Sequence, residues 1–201
     1  MQPRLKVLCI SGSPRGGGNT DVLLGSFLRG VEETGVEGER IFLRDYVIQP
    51  CIGCERCRKD RLCSKLHDGM QLLYPKIIES TGLILGSPTH SYNVTAMVKA
   101  FIDRLYPFFE FSDDRPRKYH SRLAGQGRKA IVYSVSEQDE TGETGFTLEA
   151  MGYPLTALGY EVVDDISVTG FFDRGAVRHH MDLLDKVYEK GRWLAEMILS
   201  T

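Results

Sequence analysis

A chain of 201 residues with 42% hydrophobic and 26% charged residues is long enough, and apolar enough, to bury one full core. That composition excludes a disordered or fibrous chain, and a formal net charge of −2 gives no field to gather nucleic acid. There is no basic stripe with interleaved aromatics, and Arg115-Pro116-Arg117-Lys118 reads as a solvated loop.

In chain order, short apolar runs alternate with helical patterns. Residues 5–10 read as a buried strand, too short for a signal segment or a membrane span, which points to a cytoplasmic protein with no membrane partner. Residues 20–33 follow as a helix, with Val22, Leu23, Phe27 and Val31 on one side. Residues 40–44 read as the second strand, followed by a cysteine-rich insertion at about 50–66. Residues 68–79 have helical spacing, and Pro75 is expected to kink that helix or delay its start. Residues 82–86 give a third strand and residues 95–109 the next helix, where Lys99 and Asp103 form a modest i,i+4 pair. The polar stretch 111–128 reads as a surface excursion. A strand at 130–135, a helix at 147–158 and a strand at 161–168 follow, and one amphipathic helix runs from Asp173 to the end. Five strands, each followed by a helix, predict a single α/β domain over 1–201: a doubly wound parallel sheet with helices on both faces. In such sheets a ligand sits beyond the carboxyl ends of the strands where their order reverses. The loops after strands one, three and four are therefore the places for a site.

The first of these loops, Ser11-Gly12-Ser13-Pro14-Arg15-Gly16-Gly17-Gly18-Asn19-Thr20, runs from strand to helix. Glycines let backbone N–H groups turn inward, the helix offers its positive end, and hydroxyls donate hydrogen bonds, which together make a phosphate cradle. A Walker loop needs a Lys where this chain has Gly18, and the Rossmann G-x-G-x-x-G spacing is absent, which argues against nucleotide hydrolysis. The loop after strand three, Gly86-Ser87-Pro88-Thr89-His90-Ser91-Tyr92-Asn93, supplies backbone donors, hydroxyls and two rings, suited to a planar polar heterocycle.

These two segments, SGSPRGGGNT at 11–20 and GSPTHSYNVTAMVKAFIDR at 86–104, resemble the two signature loops of the NADPH-dependent FMN reductase family. The resemblance implies a flavodoxin-like fold with strand order 2-1-3-4-5 and bound FMN. It implies that Ser11, Ser13, Arg15, Asn19 and Thr20 hold the FMN phosphate, and that Pro88, Thr89, His90, Ser91, Tyr92 and Asn93 border the flavin ring. Similar loops in the family close over the flavin after strand four, which here makes Ser136 and Gly145 candidates in residues 134–146.

Cys51, Cys54, Cys57 and Cys63 are spaced C-x2-C-x2-C-x5-C. Two-residue gaps let thiolates converge on one centre. Three in one compact run favour a 4Fe–4S cluster over structural zinc, whose ligands more often fall into two separated pairs. A disulfide or a set of free thiols is also compatible with this spacing. The spacing also resembles that of iron–sulfur flavoproteins, a branch of the same family carrying a 4Fe–4S cluster beside FMN. Arg56, Arg58, Lys59 and Arg61 lie among these thiols, where they would offset cluster charge or favour thiolates. Cys9, alone in the first strand, reads as a core residue.

The expected function is electron transfer by FMN and a cluster between a donor, ferredoxin or NAD(P)H, and a protein or small-molecule acceptor, with no side chain as nucleophile or base. A cluster-free NAD(P)H-dependent FMN or quinone reductase is a rival reading, and a non-catalytic flavin or thiol redox sensor is a second. The family resemblance implies a homodimer or homotetramer. The aromatic stretch Tyr106-Pro107-Phe108-Phe109-Glu110-Phe111 is either a candidate interface or ordinary core.

Overall fold

The computed structural model describes residues 4–200. Strand β1 (Arg4–Ser11) leads to α1 (Asn19–Glu33), β2 (Glu37–Phe42), the one-turn α2 (Cys57–Asp60), α3 (Met70–Glu79), β3 (Ser80–Pro88) and α4 (Ala96–Asp103). A hairpin of β4 (Phe109–Phe111) and β5 (Tyr119–Ser121) follows, then β6 (Lys129–Val135), α5 (Thr147–Leu158), β7 (Glu161–Val168) and α6 (Met181–Leu199). The main sheet has the order β2-β1-β3-β6-β7, with every neighbour parallel. With the hairpin strands set aside, this is the expected order 2-1-3-4-5. Among the described residues no helix is long and apolar enough to cross a membrane.

Alternate residues of each strand serve opposite faces. On β1, Leu8 and Ile10 pack with Met70, Leu73, Val98, Phe101 and Leu155 of α3, α4 and α5. Val7 and Cys9 pack with Leu23, Phe27, Val187 and Leu194 of α1 and α6. Both faces are thus dry, as a parallel sheet needs, and the strands read as continuous apolar runs. Cys9 is fully buried, and burial raises its thiol pKa far above the ordinary range, so it stays neutral.

Several boundaries depart from the sequence expectation. Strand β2 begins earlier and ends earlier than residues 40–44, because its register is set by β1, from Lys6 opposite Glu37 to Ser11 opposite Phe42. Lys6 Nζ holds the polar edge strand through Glu37 and Glu39 at 2.7 and 2.8 Å, and Leu43 turns inward in a 3-10 turn. Helix α3 starts at Met70, ahead of Pro75, so the proline does not delay it. Helix α4 stops at Asp103 because Leu105 N–H already bonds back to Ile102 O in a tighter turn and Pro107 has no N–H to continue. The last helix begins at Met181, after Gly175 takes a left-handed conformation (φ 73°) that breaks the helical pattern.

The polar stretch before β6 is less superficial than its composition. It contains the β4–β5 hairpin and ends in Arg128, which is 2% exposed. The Arg128 guanidinium donates to Ile77 O, Ile78 O and Ser80 O, capping the carbonyl end of α3 with a cation. The aromatic stretch is also largely absorbed by packing. Pro107 and Phe108 are buried, and Tyr106 stacks on Phe111 at 4.9 Å inside the hairpin.

Helices α1 and α6 meet at two glycines. A Cβ on Gly191 would lie 2.1 Å from Phe27 O, and one on Gly30 would lie 2.0 Å from Tyr188 O. Backbone cannot yield as a side chain does. Gly191→Ala is therefore expected to destabilise the fold by about 1–3 kcal/mol, read as a lower urea midpoint at unchanged slope. An unaltered midpoint would show that the helices separate freely.

Candidate functional site

The loop after β1 is shaped by hydrogen bonds to Asp21, one turn into α1. Ser11 Oγ donates to Asp21 Oδ1 (2.6 Å) and Gly17 N–H to Oδ2 (2.8 Å). Arg44, just past β2, supplies the counter-charge through Nη1 and Nη2 at 3.1 and 3.0 Å and also donates to Ser13 O. With the carboxylate so paired, the mouth of the loop keeps a positive character from Arg15 and the end of α1. Gly18, the N-cap residue, has no side chain to bond the first-turn amides of α1.

Ser13, Arg15, Asn19 and Thr20 line a cleft of about 190 Å³ with Pro88, Thr89, His90 and Ser136. Ser11 does not line it: fully buried, it accepts from Ser13 N–H and fixes the turn from beneath. Asn19 reaches the wall, but its side chain is spent on structure, donating to Asp173 O (2.9 Å) and accepting from Val177 N–H (3.2 Å). The remaining wall is one the sequence expectation missed. Phe171, Phe172 and Arg174, in the loop after β7, close the cleft, and Arg15 lies 5.1 Å over the Phe172 ring and donates to its carbonyl. Taking residues 173 onward as helix hid this wall. The signal was present in Gly170 and Gly175, which bracket the segment at positive φ (79° and 73°).

The two signature loops are locked together at their bases. Gly12 N–H donates to Gly86 O (2.8 Å), and Thr95, the cap of α4, donates from Oγ1 to Gly12 O (2.8 Å). Beyond Pro88 and Thr89, residues 90–93 form a tight turn, with His90 N–H to Asn93 O (2.8 Å) and Asn93 N–H to His90 O (3.1 Å). Ser91 and Tyr92 are both left-handed there, at φ 49° and 63°. Glycine or asparagine usually fills such positions, so Ser and Tyr store about 1–3 kcal/mol each. Ser91, Tyr92 and Asn93 stand on the rim and outside the cleft lining. So does Gly145, whose role is close approach: a Cβ there would meet Tyr92 O at 2.3 Å, and the next amide, Phe146 N–H, donates to that carbonyl (2.8 Å).

The four cysteines come together away from this cleft, beside the end of α4. Cys51, Cys54, Cys57 and Cys63 all line one cavity of about 200 Å³, with Arg56, Lys65, Arg104 and Tyr106. The thiols sense one another. Burial first, then the neighbouring Cys63, Cys51 and Cys54, push the Cys57 thiol up to about 11. Among the described residues no group of three or more His, Cys, Asp or Glu is arranged to hold a metal ion, although the four cysteines line a common cavity.

The β4–β5 hairpin clasps this segment. Arg117 pairs with Glu55 (3.3 Å), Arg61 with Glu110 (2.9 Å), Arg58 lies 5.4 Å over Phe111, and Arg122 donates to Arg61 O (2.9 Å). Arg58 and Arg61 are therefore engaged by the clasp, while Arg56 faces the cavity and Lys59 is exposed. Beneath the thiols lies the Arg104–Asp68 ion pair (2.7 Å), with side chains only 1% and 3% exposed. Gln49 and Met70 amides also donate to Asp68, at 2.8 and 3.0 Å.

Burial alone would raise the Asp68 carboxyl, but the Arg104 hydrogen bond and the two amides outweigh it and hold the pKa below 3.8. A carboxyl depressed by folding contributes stability above its unfolded value and loses it as pH falls through the folded one. Asp68→Asn should cost about 3–5 kcal/mol at pH 7, by leaving Arg104 buried and unpaired. The gap between variant and wild type should narrow on acidification below about pH 4. Chemical denaturation at neutral and acid pH measures it, and a gap that does not change would remove the ion pair as its cause.

Residues 5–138 match the NADPH-dependent FMN reductase family. Over 103 residues the chain is 42% identical to an iron–sulfur flavoprotein of Methanocaldococcus jannaschii, covering 51% of this chain and about half, 53%, of that relative. Over 182 residues it is 41% identical to an iron–sulfur flavoprotein of Archaeoglobus fulgidus, covering 87% of this chain and 81% of the relative. The fold is shared with the structure of a flavone reductase, at a TM-score of 0.71 and 20% identity over 96% of this chain and 62% of the other. Two matching signature loops, the order of the sheet and these similarities lead to one assignment: the chain belongs to the NADPH-dependent FMN reductase family.

Proposed function

We propose that the protein is an FMN-dependent oxidoreductase that also carries a 4Fe–4S cluster and passes electrons between a donor, ferredoxin or NAD(P)H, and an acceptor. The observation that carries this reading is that all four cysteines surround one cavity while the two signature loops form one cleft. The cleft lies where strands of one parallel sheet end, and the cysteine cavity lies beside the end of α4. The names of the relatives point the same way.

The residues present fit both groups. At the cleft, the uncapped start of α1, Ser13, Thr20 and Arg15 present donors and positive charge suited to a phosphate, and Arg174 adds a second cation. Pro88, Thr89, His90 and Ser136 offer a wall suited to a flat ring, with the turn carrying Ser91, Tyr92 and Asn93, and the Gly145 loop behind it, as a rim. At the cavity, Cys51, Cys54, Cys57 and Cys63 supply four soft ligands, and Arg56 and Lys65 offset the charge of four thiolates. When bound, FMN supplies paired-electron or hydride chemistry with release of single electrons, and a cluster supplies single-electron transfer. The chain's own part is to orient the ring, hold Cys57 and Cys63 partly buried with Cys51 and Cys54 at the exposed side, and set both potentials by hydrogen bonds and charge. Assembly as a homodimer or homotetramer belongs to this reading, with the exposed Tyr92 and Phe146 rings on the rim (58% and 69%) available to a second copy.

Anaerobic purification with assays of iron, acid-labile sulfide and flavin is the direct test. About four irons and four sulfides per FMN are expected, and Cys57→Ser should lose the iron and keep the flavin. Flavin without iron would assign the protein to the cluster-free reductases and leave the cysteines as thiols or a disulfide. For the cleft, Arg15→Ala should weaken FMN binding by about tenfold, the worth of one charge-assisted hydrogen bond. Riboflavin, which lacks the phosphate, should bind as before in a fluorescence titration; an equal loss for both would move Arg15 away from the phosphate.

A further inference from the structure

Arg104 has a donor to spare. A guanidinium carries five N–H groups, and the surroundings of this one can be followed nitrogen by nitrogen. Nη1 donates to Asp68 Oδ2 (2.7 Å) and Gln49 O (2.9 Å). Nη2 donates to Asp68 Oδ1 (3.2 Å) and Leu66 O (3.4 Å). That accounts for both hydrogens of each terminal nitrogen and leaves Nε–H, which is buried without any partner. An unpaired buried donor costs about 1–3 kcal/mol, more when charged, and native proteins seldom leave one.

The position of this donor is what gives it meaning. Arg104 lines the cavity ringed by the four cysteines, and its side chain is 1% exposed. Other arginine Nε atoms around the segment also lack partners, at Arg58, Arg117 and Arg122, but the first two side chains are 22% and 25% exposed, Arg122 is half-buried, and none of the three lines the cysteine cavity. The protein further fixes where Arg104 can move. Asp68 grips both ends of its fork, and Tyr74 Oη donates to the Arg104 carbonyl at 2.8 Å.

We propose that Arg104 Nε–H donates a hydrogen bond to a sulfur of the group held by the four cysteines, either a ligating thiolate or an inorganic sulfide, and so raises its reduction potential. This inference rests on the cluster reading above. The sign follows from charge: reduction adds an electron to the cluster, and a donor on sulfur favours the more negative state. The ion pair with Asp68 makes the arginine's contribution mainly that of the hydrogen bond, since the charge of the guanidinium is already matched.

The variant that isolates the bond is Arg104→Lys. It keeps a cation for Asp68 and has no N–H at the Nε position. Two measurements on anaerobically purified protein test it. In a redox titration followed by electron paramagnetic resonance, the cluster of Arg104→Lys is expected to be about tenfold harder to reduce, which for one electron is about 59 mV lower. In wild type grown with arginine labelled with 15N only at Nε, pulsed electron paramagnetic resonance of the reduced cluster should show one coupled nitrogen, lost in the variant. The labelled wild type gives an answer even where the variant fails to fold. A cluster whose potential is the same in both proteins, or a labelled wild type with no coupled nitrogen, overturns the assignment of Arg104 and leaves the cluster itself standing. Wild type without iron or sulfide overturns the cluster reading first, and this inference with it.

Discussion

Two glycines, at the end of β1 and near the end of β3, make room for the neighbouring elements packed against them. A Cβ on Gly12 would lie 2.0 Å from Val98, and one on Gly86 would lie 2.0 Å from the Tyr133 ring. The first glycine lets α4 pack directly against the end of β1. The second lets Tyr133 cross the sheet end and donate its hydroxyl to Thr20 O, at the start of α1 (2.8 Å). From that contact the rest of the cleft follows. The two loops leave the sheet side by side, joined by the Gly12–Gly86 bond and the Thr95 hydroxyl, and the helix that begins one of them is aimed by a residue of a third strand.

Two ion pairs then do for the loops what the glycines do for the strands. Asp21–Arg44 ties the start of α1 to the end of β2, and Asp68–Arg104 ties the head of α3 to the end of α4. Burying charges costs desolvation, and a pair of apolar residues would often be as stable. What an ion pair adds here is direction: each carboxylate also takes backbone N–H groups, from Gly17 in one case and from Gln49 and Met70 in the other. Each therefore sets the course of a loop in a way that packing alone would not. Arg128 serves the same purpose singly, at the carbonyl end of α3.

The sheet was legible because parallel strands covered on both faces read as unbroken apolar runs, as residues 83–85 and 130–133 do. The edge strand β2 was legible only at residues 40–42, and its start was missed, since its Glu37, Glu39 and Arg40 follow no apolar alternation and its pairing rests on Lys6. At the site, spacing identified which segments matter more reliably than which side chains face inward. Ser11 and Asn19 carry the expected residue types yet serve the frame, while Phe171, Phe172 and Arg174 form a wall from far along the chain. Asp68 and Arg104 looked like ordinary helix residues. Only the tertiary structure reveals that one floor supports all four thiols, because ion pairs between distant residues have no periodicity to betray them.

The hairpin that clasps the cysteines has a consequence for how the protein is made. Synthesis proceeds from the amino terminus, so the segment from Cys51 to Cys63 leaves the ribosome well before Phe109–Ser121, and before Arg104 as well. Until those later residues arrive, the thiols lack both the Arg104–Asp68 pair and the hairpin that clasps them. Once the Arg61–Glu110 and Arg117–Glu55 contacts form, Cys57 and Cys63 are partly covered while Cys51 and Cys54 stay exposed. The order of residues along the chain thus leaves the four thiols open in the nascent protein until its own continued translation supplies the hairpin that clasps them.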